Sequence, residues 1–157
     1  MTRNLIFKNR QRARPVPVVE LRKLTLAVLR NHLRCQNYEL VIYLVGSAEM
    51  TRVNEHFLRH SGSTDVITFD YCDPANPNDL NGELFICVDE AVIQARQYHT
   101  TWKNEVIRYI VHGILHLLGF DDRTKAARRK MKTRENKIVA ALTAKPVRLK
   151  PAIGRAG

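Results

Sequence analysis

Lys103 to Asp122 reads KNEVIRYIVHGILHLLGFDD, and the fold can be built outward from it. Val106, Ile107, Ile110, Val111, Ile114, Leu115 and Leu118 make Lys103–Leu118 apolar on most sides, so it is expected to be a helix inside the protein. Its polar stripe, Glu105, Arg108, His112 and His116, recurs at steps of three and four. Residues four apart on a helix share a face one turn apart, so His112 and His116 can present nitrogens to one point. Gly119 falls where a helix stops, because glycine takes the left-handed C-cap conformation without a Cβ penalty. Asp122, three residues further on, can fold a carboxylate oxygen back toward the two imidazoles. The pattern HxxxHxxxxxD thus offers three metal ligands, His112, His116 and Asp122, and leaves one position open. Catalytic zinc sites have that form, whereas structural ones are closed by four ligands, usually including cysteine.

The flanking chain is expected to supply a small sheet and further helices. Leu5–Phe7 reads as a brief edge strand, followed by a basic connector from Lys8 to Pro17. Leu21, Leu24, Thr25, Val28 and Leu29 repeat at helical spacing within Val18–Leu33. Leu40–Val45 is apolar on both faces, as in a covered central strand. Ser47 is placed to cap a helix with Met50, Val53, Asn54, Phe57 and Leu58 inward, and Asp89 to cap one ending near His99. Asp65–Phe69 and Glu83–Val88 read as short strands separated by the turn-rich YCDPANPNDLNG. Thr124 opens a last helix with Ala127, Met131, Ile138 and Leu142 as its apolar seam and a basic opposite face. The sum is an α+β fold: a small mixed four-stranded sheet covered by about five helices, with the histidine-bearing helix central. Residues 1–144 are expected to form a single metallo-hydrolase domain and 145–157, KPVRLKPAIGRAG, a flexible basic tail.

A chain of 157 residues, 45% hydrophobic, is long enough to bury a core. Its formal net charge of +11 points to a polyanion, nucleic acid ahead of membrane. Cys35, Cys72 and Cys87 form no CxxC pair and no disulfide framework, which suggests a reducing compartment; Cys35 and Cys87 read as small core residues. The N-terminal segment has too short an apolar run for a signal peptide, and no segment approaches a membrane span. The expected location is cytoplasmic.

Metalloproteases of the HExxH type place their general base directly after the first histidine. Here Gly113 stands there, which weakens a protease or amidase reading. A divalent metal with an open position can bring the pKa of bound water to ~7 and polarise a phosphoryl oxygen, so phosphodiester hydrolysis fits both ligands and charge. Ligand types alone leave zinc, iron, manganese and nickel open. Asp121 is either an aid to the site or an exposed turn residue.

Three blocks resemble the bacterial YbeY family of metal-dependent endoribonucleases: EMTRVNEHFLRHSGSTDVITFD (Glu49–Asp70), NGELFIC (Asn81–Cys87) and VHGILHLLGFDD (Val111–Asp122). The last is similar to the family signature HGxLHLxGYDH. The resemblance implies a cytoplasmic, single-strand-specific ribonuclease with one Zn2+ per chain, acting in 16S rRNA 3′-end maturation and ribosome quality control. Its implied partners are single-stranded RNA, rRNA and the ribosome, with no membrane. The family's first two histidine ligands fall on His112 and His116, and its third falls on Asp122, which adds a negative charge. All three would act through the metal-bound water. The family's arginine before the TDVLSF-like strand falls on Leu58 in ungapped register; Arg59, one residue away, is the candidate phosphate clamp. The alternative is a non-catalytic RNA-binding ribosome assembly factor with a structural metal.

Overall fold

Period-two alternation organises the sheet. In β2, Leu40, Ile42 and Leu44 are buried on one face while Tyr43 and Val45 point to the other; in β4, Leu84 and Ile86 are answered by Phe85 and Cys87. The computed structural model describes residues 1–144. The elements run β1 (Arg3–Asn9), α1 (Val18–Ala27), a π-helical turn (Val28–His32), β2 (Tyr38–Val45), α2 (Ser47–Phe57), β3 (Val66–Asp70), β4 (Leu80–Cys87), α3 (Val88–Tyr98), α4 (Trp102–Leu117) and α5 (Lys125–Thr143). The sheet order is β1-β2-β4-β3. β1 and β4 flank β2 in parallel, and β3 closes the other edge antiparallel to β4, so the sheet is mixed. The expected α+β fold, with β2 interior and five α-helices, is what the described residues form. The expected basic tail, 145–157, lies outside the described residues.

The principal core lies between one sheet face and α1, α3, α4 and α5. α4 sits at its centre, with Val106, Val111, Ile114 and Leu115 fully buried. Gly113 lets this helix approach β4: a Cβ there would come 2.7 Å from Leu84 Cδ2. The missing side chain at Gly113 therefore serves helix–sheet packing. On the other sheet face Met50 and Val53 of α2 meet Val45, Ile67 and Cys87, with Tyr43, Phe69 and Phe85 alongside. Tyr43 and Phe85, paired in register, stack at 4.5 Å between ring centroids.

Two expected local caps do not form. Ser47 makes no side-chain cap to α2, and Asp89 makes none to α3. Instead Asp89 Oδ2 accepts the Ser47 backbone N–H at 2.8 Å, so the acid at the start of α3 caps α2. Both helices begin at the C-terminal ends of adjacent parallel strands, which puts Asp89 within reach. The Thr124 cap forms as expected, its Oγ1 accepting from Ala127 N–H at 3.0 Å. α4 gains a cap the sequence reading passed over, Thr101 Oγ1 accepting from Asn104 N–H at 3.1 Å.

Candidate metal centre

α4 ends in a Schellman motif. Phe120 N–H bonds the Leu115 carbonyl and Gly119 N–H the His116 carbonyl, both at 3.0 Å, with Gly119 at φ +100°. Gly119 therefore does what its place in the sequence predicts. The chain turns back at once and carries Asp122 toward the last turn of the helix, where Arg128 of α5 holds the Asp122 carbonyl oxygen at 3.0 Å.

His112, His116 and Asp122 come together, with one ligand atom from each within 4.8 Å of the others. His116 Nε2 lies 3.8 Å from Asp122 Oδ2. Ligand atoms held about 2.1 Å from a tetrahedral ion sit about 3.4 Å apart, so this set needs to close by only about an ångström to bind one. The side chains of His112, His116 and Asp122 are 29%, 26% and 49% exposed, so the cluster opens to solvent. Burial pushes the His116 pKa below the ordinary histidine value, helped by the neighbouring His112 and opposed by Asp122. A histidine kept neutral has its lone pair free for a metal.

The sequence reading missed Glu135. This α5 residue is 2% exposed and places Oε1 2.6 Å from His112 Nδ1, while Oε2 accepts from Arg108 Nη1 at 2.7 Å and Lys132 Nζ at 3.3 Å. Burial favours the neutral acid, but hydrogen bonds to His112 and Arg108 and the Lys132 charge prevail, holding its pKa down to about 2. With Nδ1 engaged by a carboxylate, His112 turns Nε2 outward as the free donor, the usual carboxylate–histidine arrangement behind a metal ligand. The signal for Glu135 lay in the helix period: Met131, Glu135, Ile138 and Leu142 form one stripe, and Glu135 is the only acid in α5.

The other candidates fall outside this arrangement. Asp121 Oδ1 accepts from Arg123 N–H at 3.1 Å, which makes it a turn residue. Glu105 is tied to Thr100 at the far end of α4. Arg59 follows α2 in a left-handed conformation, φ 58°, is exposed, and among the described residues makes no hydrogen bond or ion pair to the cluster. Gly113 faces Leu84, so the helix directs the position of an HExxH base into the core. Among the described residues no helix is long and apolar enough to cross a membrane.

The family model described as Endoribonuclease YbeY matches residues 6–143. Proteins named Endoribonuclease YbeY match this chain at 31% to 39% identity. One from Parabacteroides distasonis is 39% identical over 103 residues, covering 65% of this chain and 70% of its own. One from Chlamydia pneumoniae is 34% identical over 146 residues, covering 87% and 89%. The solution structure of a Thermotoga maritima protein shares the fold, with a TM-score of 0.64 at 23% identity over 88% of this chain and 89% of that one. Fold, histidine spacing and the extent of these matches agree: the chain belongs to the YbeY endoribonuclease family.

Proposed function

We propose that the protein is a metal-dependent endoribonuclease of single-stranded RNA, with His112, His116 and Asp122 as metal ligands and Zn2+ as the bound ion. The observation that carries this reading is the solvent-open cluster of three donors with a buried carboxylate behind one of them. A divalent ion there would supply Lewis acidity toward a phosphoryl oxygen and toward water. Glu135 fixes the His112 ring and the tautomer that leaves Nε2 free. Arg108 and Lys132 keep that carboxylate ionised. Asp122 adds a negative charge that three neutral histidines would lack, which favours harder ions more than such a site does. The cellular role we assign is 16S rRNA 3′-end maturation and ribosome quality control in the cytoplasm, with rRNA and the ribosome as partners. Residues 1–144 act as one metallo-hydrolase domain. Arg59, exposed on the loop after α2, is the proposed phosphate clamp.

The openness of the cluster speaks for turnover over the assembly-factor reading, since a structural metal would be enclosed by four protein ligands. The test is cleavage of labelled single-stranded RNA by wild type and His116→Ala, with metal content determined on the same samples. Cleavage only by the metal-loaded wild type is expected. RNA cut equally well by both, or bound and cut by neither, overturns the proposal.

A further inference from the structure

A cationic pocket lies where α1 ends. The helix widens into the π-helical turn, with Leu33 N–H bonding the Val28 carbonyl at 2.9 Å, and Cys35 N–H then reaches back to Leu29 at 2.7 Å. The residue at this reversal, Arg34, stands at φ 53°, where glycine is the low-energy choice. Arg34 lines an open pocket with Arg3, Arg30, Asn31, Cys35 and Gln36, and no carboxylate lines it among the described residues. Arg3 spends Nε on the Gln36 carbonyl oxygen at 3.1 Å, and Arg30 spends Nε on the hydroxyl of buried Tyr38 at 3.3 Å. Each guanidinium is thus oriented through Nε. Among the described residues neither Nη group of Arg30 makes a hydrogen bond, while Arg3 Nη2 also reaches Gln36 Oε1 at 3.5 Å. Among the described residues none of the three arginines meets a carboxylate within ion-pair distance, although other basic side chains such as Arg10, Arg108 and Lys132 do.

We propose that Arg3, Arg30 and Arg34 form a phosphate subsite that holds the backbone of the RNA strand whose cleavage occurs at the His112–His116–Asp122 cluster. The proposal rests on the nuclease reading and adds where a distant part of the substrate is held. Fork-shaped guanidinium groups match phosphate oxygens, and three in one concave site without acids have no protein charge to neutralise. α5 connects the two places: Arg134 Nη2 donates to the His32 carbonyl of the π-helical turn at 3.0 Å, and the next residue, Glu135, holds His112. A strand passing from one place to the other across this part of α5 would contact both.

The test measures binding of a fluorescent single-stranded oligoribonucleotide of about a dozen nucleotides over a range of salt. Wild type, Arg34→Gly and Arg30→Gln are compared, with melting temperature and metal content measured in parallel. Arg34→Gly removes the charge and relieves the left-handed backbone, so it should melt no lower than wild type. It should bind RNA several-fold more weakly, with a log affinity against log salt slope shallower by about 0.7, the equivalent of one single-strand phosphate. Arg30→Gln should show the same shallower slope without altering the backbone turn. Wild-type affinity and slope in both variants, with RNA cleavage by the wild type intact, overturn the subsite alone. A wild type that neither binds nor cuts single-stranded RNA overturns the nuclease reading and the subsite together.

Discussion

Glu135 Oε1 sits 2.6 Å from His112 Nδ1, joining the last helix to the first histidine of the cluster through a carboxylate that is almost wholly buried. This contact decides which nitrogen of His112 faces outward. It also places a negative charge directly behind the His112 ring, which makes the outward nitrogen more basic.

Replacing Glu135 with Gln should therefore weaken metal binding by about 10- to 100-fold, measured by competition with a chelator. The same change should flatten the acid limb of stability. The folded pKa lies at about 2, below the ordinary 4.5, so the carboxylate stabilises the fold above the ordinary value and loses that contribution as pH falls from about 5 toward 2. The difference is on the order of 3 kcal/mol. Identical acid unfolding of wild type and variant would contradict the assignment.

For His116 the direction is again toward loss in acid. Burial lowers its pKa, so the folded chain takes up that proton less readily than the unfolded one. Stability of the metal-free protein should be full above the ordinary histidine value of about 6.5 and decline below it, down to the depressed folded value. Urea midpoints between pH 7 and pH 5 should fall less in His116→Gln than in wild type. A variant as pH-sensitive as wild type would exclude His116 as the source.

Gly113→Ala tests the close approach of α4 to the sheet. Its Cβ would lie 2.7 Å from Leu84 Cδ2, and Leu84 is fully buried. Overpacking costs about 1–3 kcal/mol, and replacing a helical glycine returns roughly 1 kcal/mol at most. We expect a net loss in denaturant titration. Gly113→Glu, which would write HExxH into the chain, should lose the fold and gain no peptidase activity. A stable Gly113→Glu protein would show that the contact yields.

The position after α4 separates strain from space. A Cβ on Gly119 meets nothing within 4 Å, so Gly119→Ala carries only the penalty of φ +100°. We expect roughly 1–2 kcal/mol of destabilisation together with weaker metal binding, because the turn that returns Asp122 is disturbed. Wild-type metal affinity in that variant would mean that Asp122 is placed by α5 alone.

Asp122→His restores the histidine of the family signature and removes one negative charge. The variant should keep its metal and move the acidic limb of the pH–rate profile to lower pH, since a neutral ligand leaves the ion more electron-poor. An unmoved profile would imply that Asp122 is not a ligand during turnover.

The sequence disclosed what depends on short range. His112 and His116 are related by one helical turn, Gly119 by a local backbone need, and Asp122 by the few residues after it, so all three relations could be read in order. Glu135 belongs to another helix, and its role depends on α4 and α5 being packed together. Its position on the apolar stripe of α5 was the available hint, obscured by the basic residues around it. The capping of α2 by Asp89 in place of Ser47 has the same origin, since capping preferences assume a local partner and strand pairing brought in a distant one. Nothing in residues 28–34 announces the π-helical turn, which follows from where the chain must go to start β2.

The bond between Asp89 and Ser47 also sets an order of events. Its partners are 42 positions apart, and β4 must be paired beside β2 before Asp89 can arrive. α2 is synthesised early but lacks this cap until the chain beyond β4 has emerged, and during that interval its apolar stripe of Met50 and Val53 has no finished sheet to cover. The nascent chain is therefore expected to be most vulnerable to aggregation and proteolysis between the synthesis of Phe57 and that of Asp89.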